Sequence, residues 1–187
     1  MAIKTYVAGE ILTAASTNEI LANSGLVYVA TVAMTTATTN IDGCFTSTYD
    51  NYRVIIEGTS ANAVSTDMRI AFRTSGVTNN TAIYYSNILF ATNITGPSWA
   101  YVGAAVSAYA GVTADVHLTN GLDIFSPKLA KVTSISAQGN GFGNSLAVVG
   151  NWYSNFNAAT VFDGMAIRNT NGDVFTATCT IYGYRKA

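Results

Sequence analysis

The tightest constraint on this chain is an alternation of period two. In Phe175–Tyr182, Phe175, Ala177, Cys179 and Ile181 share one parity, and Thr176, Thr178, Thr180 and Tyr182 share the other. Successive strand residues point to opposite faces, so this run predicts a strand with one face on a core and one in water or against a neighbour. The parity recurs upstream. Tyr52, Val54 and Ile56 oppose Arg53 and Glu57, while Met68, Ile70 and Phe72 point in and Arg69, Ala71 and Arg73 point out. The first of these runs extends over 175–185, and further runs over 26–34, 82–90, 99–107, 114–120, 131–137, 146–154 and 164–169 bring the total to about nine to ten strands, about 10–15 residues apart. That pattern predicts an all-β fold, a β-sandwich of jelly-roll-like type. Asn171-Gly172, in the connector 169–173, is a tight-hairpin signal between the last two runs. The glycine-rich stretch 138–144 lacks the Lys-Ser/Thr of a phosphate loop and reads as a flexible loop between strands.

Residues 1–24 break the alternation. Ser16 and Glu19 have the spacing of a capping box, and Asn23-Ser24-Gly25 stops the helix after about two turns. A helix that short does not hold alone in water. The expected organisation is an N-terminal helical arm or anchor over 1–24, followed by a β-sandwich domain over 25–187.

Charge is scarce. Asp, Glu, Lys and Arg make up 10% of the chain against the usual value of about 25%, and 25 Thr, 14 Ser and 17 Asn take their place. Nine basic and ten acidic residues leave a net charge of −1, which gives no electrostatic footprint for nucleic acid. The aromatic and β-branched content argues against disorder. No apolar run reaches the length of a membrane-spanning helix, and the first residues lack the apolar stretch of a signal peptide. Neither membrane insertion nor export is therefore expected. Cys44 and Cys179 sit in strand-like runs with no CxxC, and read as buried thiols of a chain folded in a reducing cytoplasm. A surface of small polar groups packs against copies of itself without desolvating charge, so a homo-oligomer is expected, a ring of three or six subunits.

The residues offer little for catalysis. His117 is the only histidine, no Gly-x-Ser-x-Gly occurs, and most acids lie in turns. No catalytic residues, metal or cofactor are expected. Aromatic side chains beside amides and hydroxyls form three clusters: Tyr84 and Tyr85, Trp99 and Tyr101, and Trp152 and Tyr153. They are candidates for glycan or interface contact, against the competing reading of core. In an adjacent pair such as Tyr84/Tyr85, strand geometry sends one ring inward.

Two segments carry a resemblance, and the chain's ending joins them. Residues 8–15, Ala-Gly-Glu-Ile-Leu-Thr-Ala-Ala, with Asn18 following, resemble the opening shared by many bacteriophage tail and fibre proteins. Ile41-Asp-Gly-Cys-Phe45 with Tyr49–Ile56 resembles a strand entry of phage minor tail and virion structural proteins. Thr180-Ile-Tyr-Gly-Tyr-Arg-Lys186 resembles the final strand of the same group. The middle of the chain, 75–165, lies outside this resemblance. It implies a virion structural protein, a β-sandwich on an N-terminal anchor assembled as a symmetric oligomer, without assigning it to tail, fibre or head. With the poor case for catalysis and the aromatic clusters, the expected function is a non-enzymatic component of a tail or tail fibre, assembled in the host cytoplasm, with host-surface glycan as a candidate ligand. Gly9, Glu10, Ile11, Leu12, Asn18, Ile20 and Leu21 would anchor it to other virion proteins. The alternatives are a decoration or cement protein of the capsid, and a carbohydrate-binding module or glycan hydrolase. The resemblance transfers no catalytic residue.

Overall fold

The computed structural model describes residues 25–61, 66–143 and 146–186. The expected arm lies outside them. The described residues form thirteen strands and no helix: β1 (Leu26–Met34), β2 (Thr38–Ile41), β3 (Asn51–Ser60), β4 (Thr66–Thr74), β5 (Val77–Thr78), β6 (Tyr84–Thr92), β7 (Ser98–Ala105), β8 (Ala108–Thr113), β9 (His117–Phe125), β10 (Thr133–Phe142), β11 (Ala147–Phe156), β12 (Gly164–Asn169) and β13 (Phe175–Tyr184). Eight of them pair in the order β1-β13-β3-β9-β10-β11-β6-β7. The other five form a second sheet, β2-β12-β4-β5, with β8 also on β4. The two sheets pack as an all-β sandwich.

The alternation explains the core. Tyr52, Val54 and Ile56 of β3, Phe175, Cys179 and Ile181 of β13, and Met68, Ile70 and Phe72 of β4 are all buried. Phe72 is the aromatic centre. Its ring lies 4.8 Å from Phe162, 6.1 Å from Tyr84, 6.3 Å from Phe45 and 6.5 Å from Phe156. Each such side chain contributes roughly 2–3 kcal/mol by burial, and stacked or edge-on geometry adds to that. The two segments of the resemblance that fall among the described residues touch here: Tyr49 lies against Gly183, where a Cβ would overlap its ring. The domain's first and last described strands also meet, since Arg185 N–H donates to Gly25 C=O at 2.9 Å and Leu26 stands opposite Tyr184.

Several expectations change. The run 99–107 is not one strand. The chain bends at Ala104 (φ 52°), and β8 leaves β7 for the other sheet. The stretch 138–142 is not a loop but the second half of β10, paired to β9 and β11 on its two sides. Its outward residues Gln138, Asn140 and Phe142 keep the alternation, and Gly139 makes room for the side chain of Asn120 behind it. Asn171-Gly172 does turn the chain, with Gly172 at φ 82°, but the product is no hairpin. β12 already has β2 and β4 on its two sides, so β13 crosses to the larger sheet. Cys44 is buried in the loop after β2 rather than in a strand. Arg73 was expected to face water and is buried, because Asp42, Thr78 and the Gly76 carbonyl enclose its guanidinium.

Candidate functional site

One face of the eight-stranded sheet covers the core. The other lies open, and the antiparallel register sets its residues in rows. Tyr28, Tyr182, Arg53, Asp123, Ser136, Tyr153, Asn87 and Tyr101 follow one another across all eight strands. The next row runs Thr31, Thr180, Ile55, Gly121, Gln138, Asn151, Leu89 and Trp99. These rows could not be seen along the chain, because each neighbour comes from a different strand.

The face has a polar centre and two aromatic ends. At the centre Arg53 Nη1 donates to Asp123 Oδ2 at 2.7 Å, and Tyr184 O–H donates to Asp123 Oδ1 at 2.6 Å. The Tyr184 pKa is raised, first by partial burial and then by that carboxylate. Gly121 carries no side chain, and its bare backbone leaves a shallow trough of about 550 Å³ among Arg53, Ile55, Thr119, Gln138, Asn140 and Asn151. Three amides, a hydroxyl and one guanidinium thus surround an apolar floor, a set that hydrogen-bonds hydroxyl-rich ligands or another protein's backbone equally well. One aromatic end is the edge-on pair Tyr28/Tyr182, with centroids 6.2 Å apart. The other is formed by Trp99, 79% exposed, Tyr101 at 58% and Tyr153 at 53%.

The sequence candidates divide by parity. Tyr85, Trp99, Tyr101 and Tyr153 lie on this outer face, with Tyr85 half-buried and the other three exposed. Tyr84 and Trp152 are core. Tyr84 O–H accepts from Phe72 N–H at 2.8 Å, and burial pushes its pKa up to about 12. Trp152 is 1% exposed. Gly9, Glu10, Ile11, Leu12, Asn18, Ile20 and Leu21 lie outside the described residues. Asn151 lies in the third aromatic cluster of the sequence, whereas Arg53, Gly121, Gln138 and Asn140 were missed by sequence reasoning, and only the strand register could have pointed to them.

His117 is exposed, and its Nε2 meets Thr119 Oγ1 at 2.8 Å. Among the described residues no three His, Cys, Asp or Glu side chains gather at metal-binding spacing, and no helix is long and apolar enough to cross a membrane.

The two outermost strands complete the picture. β1 and β7 contain no charged residue and no proline. Each has one register irregularity, which leaves five regular residues, Ala30–Met34 and Ser98–Val102. Sheet edges are ordinarily blunted by charge, proline or a bulge; each of these two has an irregularity at one end but neither charge nor proline along its regular five residues.

No family model matches the chain, and no curated protein matches it significantly.

Proposed function

We propose that this protein is a non-enzymatic structural component of a bacteriophage virion, belonging to the tail or its fibres, that assembles with copies of itself. The observation that supports assembly is the pair of uncharged edges on β1 and β7 of one sheet, each with five regular residues beyond its bulge. An unprotected edge is a template for pairing. Joining β1 of one copy to β7 of the next is a heterologous contact, which closes into a ring when the rotation allows. The phage attribution rests on the segments 8–18, 41–56 and 180–186. A jelly-roll-like sandwich, a helical arm over 1–24 that attaches to other virion proteins, and weak contacts of the aromatic outer face with host-surface glycan belong to the same reading. Several copies would make such contacts additive in avidity.

The test has two arms. Sedimentation of the full chain is expected to give a closed oligomer. Thr31→Lys and Trp99→Lys, both on exposed edge positions, are expected to give a monomer with an unchanged far-ultraviolet spectrum. A monomeric wild-type chain at tens of micromolar overturns the assembly. Antibody label on the tails of particles is the expected location, and label confined to head faces overturns the tail assignment in favour of a decoration protein.

A further inference from the structure

The five-stranded sheet has its own outer face, which the assembly reading leaves unused. There Arg69 of β4 and Arg168 of β12 stand directly opposite in the antiparallel register. Like charges in that relation destabilise a sheet, and this chain has only nine basic residues in all. The other ion-paired cations are well matched. Arg53 meets Asp123 at 2.7 Å, Arg73 meets Asp42 at 2.7 Å, and Lys186 meets Asp50 at 2.8 Å.

The facing pair is not matched in this way. Arg168 Nη2 donates to Asn80 Oδ1 at 2.9 Å and has no carboxylate partner among the described residues. Arg69 lies 3.9 Å from the Tyr109 ring centroid and donates to the Tyr109 hydroxyl. Its one carboxylate partner among the described residues, Asp67, forms a looser ion pair at 3.7 Å, beyond hydrogen-bonding distance. Its Nε is buried without a partner. Beside the two guanidinium groups lies a depression of about 340 Å³, whose walls also include Thr38, Ser107, Asn169 and Thr170. That volume falls within the roughly 300–1,000 Å³ of small-molecule sites.

We propose that this depression binds an oxyanion, a carboxylate or phosphate group of a ligand, held between the Arg69 and Arg168 guanidinium groups. An anion there offsets the repulsion across the strand pair. It also offers planar guanidinium donors the oxygen geometry they bind best. Hydroxyl and amide groups on the wall suit the remainder of the ligand. The site lies on the opposite sheet from the proposed assembly edges, so it stands or falls independently of them.

The test uses the full chain, with inorganic phosphate and sodium glucuronate as separate probes at constant ionic strength. Arginine Nε–H resonances report binding. Saturable shifts of the Arg69 and Arg168 signals at millimolar concentration are expected. Saturation by phosphate alone identifies a phosphate site, by glucuronate alone a carboxylate site, and by both a general oxyanion site. Arg168→Gln, at a half-exposed position, is expected to weaken binding at least about tenfold, and Arg69→Lys, which keeps charge but loses the fork, to do the same. Lys128→Gln serves as the control and is expected to change nothing. Shifts that rise linearly through tens of millimolar with both probes, or that are the same in Arg168→Gln, overturn the proposal.

Discussion

The side-chain amide of Asn120 holds Val112 as a neighbouring strand would. Asn120 Oδ1 accepts from Val112 N–H at 3.1 Å, and Asn120 Nδ2 donates to Val112 C=O at 2.9 Å. β8 has only β4 as a strand partner, and these two bonds satisfy backbone groups that the larger sheet cannot reach. A second buried clasp lies nearby: Ser86 and Ser154 hydroxyls meet at 2.7 Å, Ser154 donates to Tyr109 C=O at 2.8 Å, and Ser86 accepts from Tyr109 N–H at 3.2 Å.

Asn120→Ala strands one buried donor and one buried acceptor, so a loss of about 2–4 kcal/mol is expected. Urea unfolding monitored by tryptophan fluorescence checks it. A loss below half a kcal/mol would show that water replaces the amide.

Gly139→Ala places a Cβ in overlap with Asn120 Oδ1. The expected cost is about 1–3 kcal/mol by overpacking. That cost is expected to shrink in an Asn120→Ala background, because the clashing atom is gone. A double-mutant cycle reads the coupling directly, and strict additivity would refute the contact.

Arg73 is 8% exposed at its side chain and binds Asp42 through Nε at 2.7 Å and Nη2 at 3.2 Å. It also donates to Thr78 Oγ1 at 2.5 Å, which ties the β4–β5 hairpin. Asp42→Ala leaves that guanidinium buried with less compensation. A loss of about 2 kcal/mol is expected, below the 3–5 typical of fully buried pairs because Asp42 is half exposed. Chemical denaturation at two salt concentrations checks both the size and its weak salt dependence.

Burial pushes both thiols, Cys44 and Cys179, from the ordinary 9.0 to about 12. The unfolded chain therefore loses these protons first. Stability is intact below about pH 9 and falls between about 9 and 12, by roughly 1.4 kcal/mol per pH unit for each thiol. Cys179→Ala is expected to show a shallower alkaline decline. Aromatic disulfide reagents at pH 8 are expected to label neither cysteine until urea unfolds the chain.

Sequence parity identified the inward side chains of Tyr52 to Ile56 and Phe175 to Ile181. It required one ring of the Tyr84/Tyr85 pair to be core without saying which, and on β4 it put Arg73 outward, where Asp42 and Thr78 instead hold it buried. It does not say which strands become neighbours. Asn171-Gly172 encodes a turn equally well whether the next strand folds back or crosses to the other sheet, and the occupied edges of β12 decide. Arg53, Asp123 and Tyr184 lie far apart in the chain and meet only through register, so the polar centre of the outer face has no local signature. Gly139 looks like loop material in sequence because the atom it makes room for, Asn120 Oδ1, belongs to another strand.

The bond from Arg185 to Gly25 closes the domain at one corner. β1 and β13 are antiparallel, so tension between residues 25 and 185 meets their ladder one rung at a time. Such a ladder peels like a zipper, because no two hydrogen bonds share the load. The sandwich is thus mechanically weak between its own ends, whatever its thermodynamic stability. Force applied elsewhere on the sandwich would load several ladder bonds at once, so resistance to pulling depends on where the force enters.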